Sequence, residues 1–272
     1  MLISYSSYFF YVLLSFLAGC FAFIFTSLGS GVVFLFKKIN NTVMDCMLAL
    51  SAGIMLSASI FSLIIPALEY YNSIDITVSI FLIISFLSGG YFIYISSTFI
   101  DKCYSNDLSH NHKKSILLFF SIILHNIPEG LIIGIAFGAI FYKSSTLVSA
   151  LILTLGIALQ NFPEGSAISL PLKRIGFSSF KAFSFGVLSG IVEPIAAIIG
   201  ALLILKIQFI LPFIMLFTAG AMIYVIIIEL IPESQKNKKE GLIAFINIIG
   251  FSIMMFLELL FSWINFYNII FI

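Results

Sequence analysis

Charged residues are scarce in this chain. Only 9% of its 272 residues are charged and the formal net charge is +1, whereas about a quarter of the residues in an ordinary soluble domain are charged. Such a composition excludes an ordinary soluble domain, and it leaves no large basic surface for a nucleic acid. Hydrophobic residues make up 61% of the chain, which is typical of a protein that crosses a membrane several times.

Cysteine is scarce, and the common protease motifs are absent from the sequence. Cys20, Cys46 and Cys103 form neither a CxxC pair nor a disulfide framework, so we interpret them as small apolar residues or free thiols. The chain contains no HExxH motif and no pair of membrane aspartates of the kind that intramembrane proteases use. We therefore expect neither an enzyme nor a prosthetic group.

Long apolar runs fill most of the chain. A membrane span needs about 20 apolar residues, and reading between polar breaks gives eight such runs. We predict an all-α protein with a single domain over residues 1–272, a short loop at 101–114, and spans near 8–36, 43–66, 76–100, 115–141, 146–171, 180–205, 209–231 and 241–264. A signal peptide is the alternative for the first run, but that run exceeds an ordinary h-region and has no basic n-region.

The basic residues are distributed unevenly between the loops. All 13 except Lys143 and Lys206 lie in or beside the loops that follow the odd-numbered spans. Because basic residues are enriched in cytoplasmic loops, the odd loops are predicted to be cytoplasmic and both termini to be outside.

One sequence pattern occurs twice. Ser51-Ala-Gly-Ile-Met55, followed by Ile65-Pro66, is repeated as Thr218-Ala-Gly-Ala-Met222, followed by Ile231-Pro232. The repeat predicts two inverted sets of three helices around a central pair, a 3+2+3 arrangement. The alternative is chance, since small residues and terminal prolines recur in membrane helices, and the sequence alone leaves both explanations open.

Two polar hexapeptides lie inside the fourth and fifth spans. They are His125-Asn-Ile-Pro-Glu-Gly130 and Gln160-Asn-Phe-Pro-Glu-Gly165. The first and fifth residues of each, spaced i and i+4, share one helix face, and each proline frees the backbone carbonyl four residues before it. Polar groups of this kind inside a membrane are costly and indicate a functional site.

Imidazole, carboxylate and amide ligands together suit a divalent first-row metal better than calcium or magnesium. Zinc is the leading candidate, followed by iron, manganese, cobalt and cadmium. The alternative is structural: prolines bend the two helices, and the polar side chains only satisfy the freed backbone groups.

Several motifs together resemble one family. They include Ser51-Ala-Gly-Ile-Met-Leu-Ser-Ala-Ser59, both hexapeptides, Leu188-Ser-Gly-Ile-Val-Glu-Pro194 and Glu229-Leu-Ile-Pro-Glu-Ser234. In these motifs the chain resembles the ZIP (Zrt-, Irt-like) metal transporters, specifically the GufA-like branch. The resemblance implies an eight-helix fold in the plasma or inner membrane, inward movement of zinc or related ions by alternating access, and compatibility with a homodimer.

The resemblance also implies two adjacent metal sites. The transport site corresponds to His125, Glu129, Gln160, Glu164 and Met55, and the second site to Asn126, Asn161 and Glu193 with Glu129 and Glu164 shared. This chain departs from some relatives by carrying an amide at Asn161 and at Gln160, which is expected to weaken the binuclear arrangement.

Two other functions fit an intramembrane site of histidine and glutamate. A proton-coupled carrier of an organic solute would show uptake that does not depend on metal. A membrane metal sensor would bind the ion without net flux.

Overall fold

The described part of the protein is a bundle of eight long helices. The computed structural model describes residues 2–36, 40–70, 75–103, 110–141, 146–207, 210–236 and 239–270. The helices are α1 (Leu2–Gly31), α2 (Asn41–Ala58 continued by Ser59–Ile64 and Ile65–Glu69), α3 (Ile76–Cys103), α4 (His110–Phe141), α5 (Leu147–Arg174), α6 (Ser179–Gly190 and Val192–Ile207), α7 (Leu211–Val225 continued by Ile226–Leu230 and Ile231–Ser234) and α8 (Glu240–Ile270).

Within the described residues, eight helices are long and apolar enough to cross a membrane. The predicted all-α, eight-helix membrane fold is confirmed. The predicted loop 101–114 is helical at both ends, since α3 continues to Cys103 and α4 begins at His110.

Prolines account for the irregular turns in α2 and α7. Pro66 and Pro232 have no N–H group, so neither can donate to the carbonyl four residues earlier. In both helices the preceding turn widens to a π-helix, and the N–H of Ile65 donates to the Ile60 carbonyl as that of Ile231 does to Ile226. The sequence predicted that the helices end at these prolines, whereas helical structure continues past both of them.

The sixth span is interrupted rather than continuous. Pro194 cannot donate to the carbonyl of Gly190, and the helix breaks at Ile191. Val192–Ile207 is therefore a new helix, with Glu193 in its first turn. The positive end of a helix dipole stabilises a carboxylate at this position.

Among the described residues, glycines allow close approach in several helix pairs, and four of these pairs follow the repeat. A Cβ on Gly53 of α2 would lie 2.0 Å from the Asn247 carbonyl oxygen of α8, and one on Gly220 of α7 would lie 1.9 Å from that of Phe86 in α3. Gly53 and Gly220 occupy the same place in the two copies of the repeated pattern.

The same correspondence holds around the central pair. A Cβ on Gly165 of α5 would lie 2.0 Å from the Thr26 carbonyl oxygen of α1, and one on Gly130 of α4 would lie 2.4 Å from that of Glu193 in α6. In these contacts α1, α2 and α3 correspond to α6, α7 and α8, respectively. Helix α5, which packs on α1, corresponds to α4, which packs on α6. These contacts favour the inverted repeat over chance recurrence.

The two ends of the bundle differ. We call the end with the loops after α1, α3, α5 and α7 the odd-loop end, and the opposite end the even-loop end. A cavity of about 710 Å³ lies at the even-loop end, between α2, α4, α5, α7 and α8. At the odd-loop end, Arg174 of α5 lies 3.7 Å from Glu233 of α7. Lys173 donates at 3.0 Å to the carbonyl of Val33, in the short 3-10 helix Val32–Leu35 that follows α1.

Candidate metal centre

The polar faces of α4 and α5 meet in the middle of the bundle. The side-chain amide of Gln160 donates to Oε1 of Glu129, so the two hexapeptides face each other. Asn126, Asn161 and Glu164 have no solvent exposure, and Glu129 and Gln160 are 1% and 2% exposed. Because the amides and carboxylates are buried together, they form a closed polar pocket inside an apolar bundle.

Glu193 forms the opposite wall of this pocket. Its Oε1 accepts hydrogen bonds from Thr26 Oγ1 at 3.0 Å and from Asn126 Nδ2 at 3.1 Å. Its Oε2 accepts from Asn161 Nδ2 at 2.8 Å. Helices α1, α4, α5 and α6 are therefore joined through a single carboxylate.

Several oxygen atoms of the pocket have no hydrogen-bond donor. Among the described residues, these are Oδ1 of Asn126, Oε2 of Glu129, Oε1 of Gln160 and Oδ1 of Asn161. A buried acceptor without a donor costs about 1–3 kcal/mol in a protein core, and most buried polar groups avoid that cost. Four such oxygens in one pocket are what a bound cation would satisfy.

The charges of the pocket reinforce this interpretation. Glu129, Glu164 and Glu193 lie close enough to interact electrostatically. Like charges destabilise one another when they are buried, and a buried carboxylate requires a partner of opposite charge or good hydrogen bonds. Glu193 has three hydrogen bonds, but within the described part of the chain Glu129 has only the one from Gln160 on Oε1, so a cation would be most stabilising beside Glu129.

Two of the predicted ligands, His125 and Met55, differ from the others in what the structure describes of them. The backbone of His125 is helical, but its side chain lies outside the residues whose side chains the structure describes. Met55 is fully buried in the main hydrophobic core. Across the side chains that are described, no three His, Cys, Asp or Glu residues come together as a metal cluster, so the donor set there combines carboxylates with amides.

Sequence reasoning missed two residues of this region. Thr26 was not singled out because a threonine in an apolar helix commonly bonds its own backbone. The hydroxyl of Ser51 in α2 lies 3.2 Å from the Pro163 carbonyl, directly before Glu164 in the chain, and 2.9 Å from the Met47 carbonyl of its own helix. Its place in the pattern Ser51-Ala-Gly, which recurs as Thr218-Ala-Gly, was the available signal.

The cavity at the even-loop end leads towards the pocket. Its lining includes Ile132 and Ile157, which lie within one helical turn of Glu129 and Gln160. Two other carboxylates line it, Glu69 and Glu258, and Glu258 accepts a hydrogen bond from Ser62 in the π-helical turn of α2. An ion entering from this end would meet acidic groups before it reached the pocket.

Fold and pocket together define an inverted-repeat membrane protein with a buried pocket of carboxylates and amides at the middle of its helices. The family model described as the ZIP zinc transporter matches residues 105–258, and the chain belongs to that family. The sequence-based prediction of the family is confirmed.

Three relatives illustrate the range of similarity. The chain is 48% identical over 147 residues to "Zinc transporter ZIP11" of Homo sapiens, an alignment that covers 54% of this chain and only 43% of the human protein. It is 32% identical to "Zinc transporter ZIP11" of Xenopus tropicalis, covering 86% and 93% of the two chains. It is 30% identical to "Zinc transporter GufA" of Myxococcus xanthus, covering 78% and 85%. These relatives are named as transporters rather than as enzymes, as predicted.

Proposed function

We propose that this chain carries zinc across the membrane through the pocket between α4 and α5. The observation that carries the proposal is the group of donor-free oxygens on Asn126, Glu129, Gln160 and Asn161, buried among interacting carboxylates. The relatives' names, which specify zinc transport, support it. Iron, manganese, cobalt and cadmium are further candidates on the same ligand chemistry.

In this proposal His125, Glu129, Gln160 and Glu164 bind the ion, and Met55 adds a thioether from α2. Two carboxylates balance the charge of one divalent ion. The absence of a thiolate favours release, because soft thiolate ligands hold zinc most firmly in closed structural sites. The cavity at the even-loop end then serves as the entrance, and the ion pairs around Glu233 close the opposite end.

The proposed direction is inward by alternating access, as the resemblance to the ZIP transporters implies. With the odd loops cytoplasmic, the cavity faces outside, which is consistent with entry of zinc from outside and release into the cytoplasm. The location is then the plasma or inner membrane, with both termini outside. Homodimerisation stays a prediction.

Zinc flux into proteoliposomes tests the proposal. Purified protein is reconstituted around a trapped zinc-sensitive dye, beside a His125→Ala plus Glu164→Ala double variant and a Glu240→Gln control. Glu240 is an exposed carboxylate at the start of α8, so the control retains the pocket. We expect saturable influx from the wild type and the control, and a loss of at least tenfold in the double variant.

Two results would count against zinc transport. Folded wild type that binds zinc without flux would indicate a sensor. Uptake of another solute in the absence of metal would indicate a proton-coupled carrier.

A further inference from the structure

Glu193 corresponds to a ligand of the second metal site in the resemblance, but both of its oxygens are already engaged. We propose that Glu193, held by Thr26, is a positioning residue in this chain rather than a metal ligand, and that the pocket holds one metal ion instead of two. This inference rests on the proposed function, since it concerns the same pocket.

The orientation of the asparagine amides is fixed by their neighbours. Nδ2 of Asn126 lies 3.1 Å from both the Ser189 carbonyl oxygen and Glu193 Oε1. Both of these partners are acceptors, so only the NH₂ group of the amide can occupy that place. The same argument applies to Asn161, whose Nδ2 lies 2.8 Å from Glu193 Oε2.

Each amide therefore turns its oxygen away from Glu193. These are the oxygens Oδ1 of Asn126 and of Asn161, which have no donor among the described residues. Glu193 thus directs two neutral oxygens towards a cation without contacting that cation itself.

Thr26 completes the arrangement from α1. It is fully buried, and its hydroxyl donates to Glu193 Oε1 at 3.0 Å, with a longer contact of 3.4 Å to the Ala22 carbonyl of its own helix. Thr26 and Glu193 occupy equivalent places in the repeat, since Gly165 packs on the Thr26 carbonyl as Gly130 packs on that of Glu193. One half of the repeat thus supplies a hydroxyl that holds the carboxylate of the other half.

Charge balance favours a single ion. One divalent cation is balanced by Glu129 and Glu164, while the charge on Glu193 is stabilised by three donors and by the start of the helix Val192–Ile207. With three carboxylates, one divalent ion leaves a net charge of −1, the charge on Glu193 that these donors stabilise. A second divalent ion would change the net charge of the buried pocket to +1, and the hydrogen-bond donors around Glu193 cannot stabilise a positive charge. At Oε1, which already accepts two hydrogen bonds, the second ion would also have to displace one of them, and hydrogen bonds to a charged group are stronger than neutral ones.

Zinc stoichiometry and affinity test this inference. Equilibrium dialysis with radioactive zinc on the full chain in detergent should give one ion per chain for the wild type. Thr26→Val removes the hydroxyl at nearly constant volume and should weaken zinc affinity about tenfold, because Glu193 loses a charge-assisted hydrogen bond. Thr26→Ser should restore the affinity.

Thr218→Val is the matched control. Thr218 is also a fully buried threonine, but its hydroxyl donates to the Ile214 carbonyl of its own helix, so zinc affinity should not change.

Asn161→Asp should increase the number of bound zinc ions. It replaces the donor to Glu193 with a carboxylate oxygen and should allow a second zinc ion to bind.

Two zinc ions on the wild type, reduced to one by Glu193→Gln, would overturn this inference and leave the proposed function intact. Equal affinity in Thr26→Val and the wild type would overturn it as well. Failure of the folded wild type to bind any zinc would overturn the proposed function itself.

Discussion

At the residue scale, the environment of Glu129 supports the proposed binding role of the pocket. Its Oε1 accepts from Gln160, whereas its Oε2 has no donor among the described residues. In metal-free protein that atom is destabilising by about 1–3 kcal/mol. Functional sites commonly sacrifice stability in this way.

Glu129→Gln should therefore separate stability from binding. Removing the buried charge should raise the free energy of unfolding of the metal-free protein by about 1–3 kcal/mol. Zinc should raise the melting temperature of the wild type, because a ligand that binds only the folded state stabilises it, but not that of the variant. Thermal unfolding in detergent with and without zinc measures both effects, and a zinc-dependent shift retained in the variant would contradict the assigned role.

Zinc affinity should fall as the pH is lowered. In the proposed site, protons would compete with the metal for the carboxylate oxygens and for the imidazole of His125, since such ligands must be deprotonated to bind. Each proton displaced weakens the apparent affinity by up to about tenfold per pH unit. Zinc titrations between about pH 5.5 and pH 7.5 measure this dependence. A transport rate that instead rose steadily with acidity would indicate proton coupling.

At the element scale, the close approach of α2 and α8 depends on Gly53. A Cβ there would lie 2.0 Å from the Asn247 carbonyl oxygen and 2.7 Å from the Phe251 nitrogen, and both are backbone atoms that a side-chain rotation cannot move. Gly53→Ala should lower the free energy of unfolding by at least about 1–3 kcal/mol, the usual effect of overpacking.

Gly241→Ala provides the comparison for that experiment. Gly241 lies in the same helix pair, at the start of α8, where no atom of the described residues lies within 4 Å of the position that a Cβ would take. Because alanine favours a helix over glycine, this change should be neutral or stabilising by up to about 1 kcal/mol. Equal destabilisation by both substitutions in thermal unfolding would contradict the packing argument.

The sequence predicted those features that depend on local pattern. Eight apolar runs and two polar hexapeptides can be read directly, because hydropathy and i, i+4 spacing are properties of neighbouring residues. The bond from Thr26 to Glu193 joins residues of different helices and depends on how closely glycines let those helices approach. The break at Ile191 had a local signal in Pro194, but its effect on the position of Glu193 became clear only with the packed helices.

At the scale of the whole molecule, the bundle is open on one side of the pocket and tied together on the other. The cavity at the even-loop end reaches Ile132 and Ile157. At the odd-loop end, Glu233 of α7 lies 3.7 Å from Arg174 of α5 and 2.5 Å from Lys236. The proposed alternating access requires a second state, in which the odd-loop end is open and the even-loop end is closed.

Two cysteine substitutions at different depths of α5 can detect that second state. Leu153 lines the cavity, whereas Ser169, on the far side of Glu164, is fully buried. With the three native cysteines replaced by serine, a water-soluble thiol reagent should modify Leu153→Cys rapidly and Ser169→Cys slowly, because only an exposed thiol reacts readily.

Adding Arg174→Gln to the Ser169→Cys protein should then increase its labelling. An ion pair between partly exposed side chains contributes about 0.2–1 kcal/mol, so its loss should raise the population of the state open at the odd-loop end by up to about fivefold. Leu153→Cys labelling should not rise, and it should fall by the fraction of molecules that leaves the cavity-open state, since the two states exclude each other. Simultaneous increases at both positions would instead indicate general loosening of the bundle, and the ion pair would then have no part in access to the pocket.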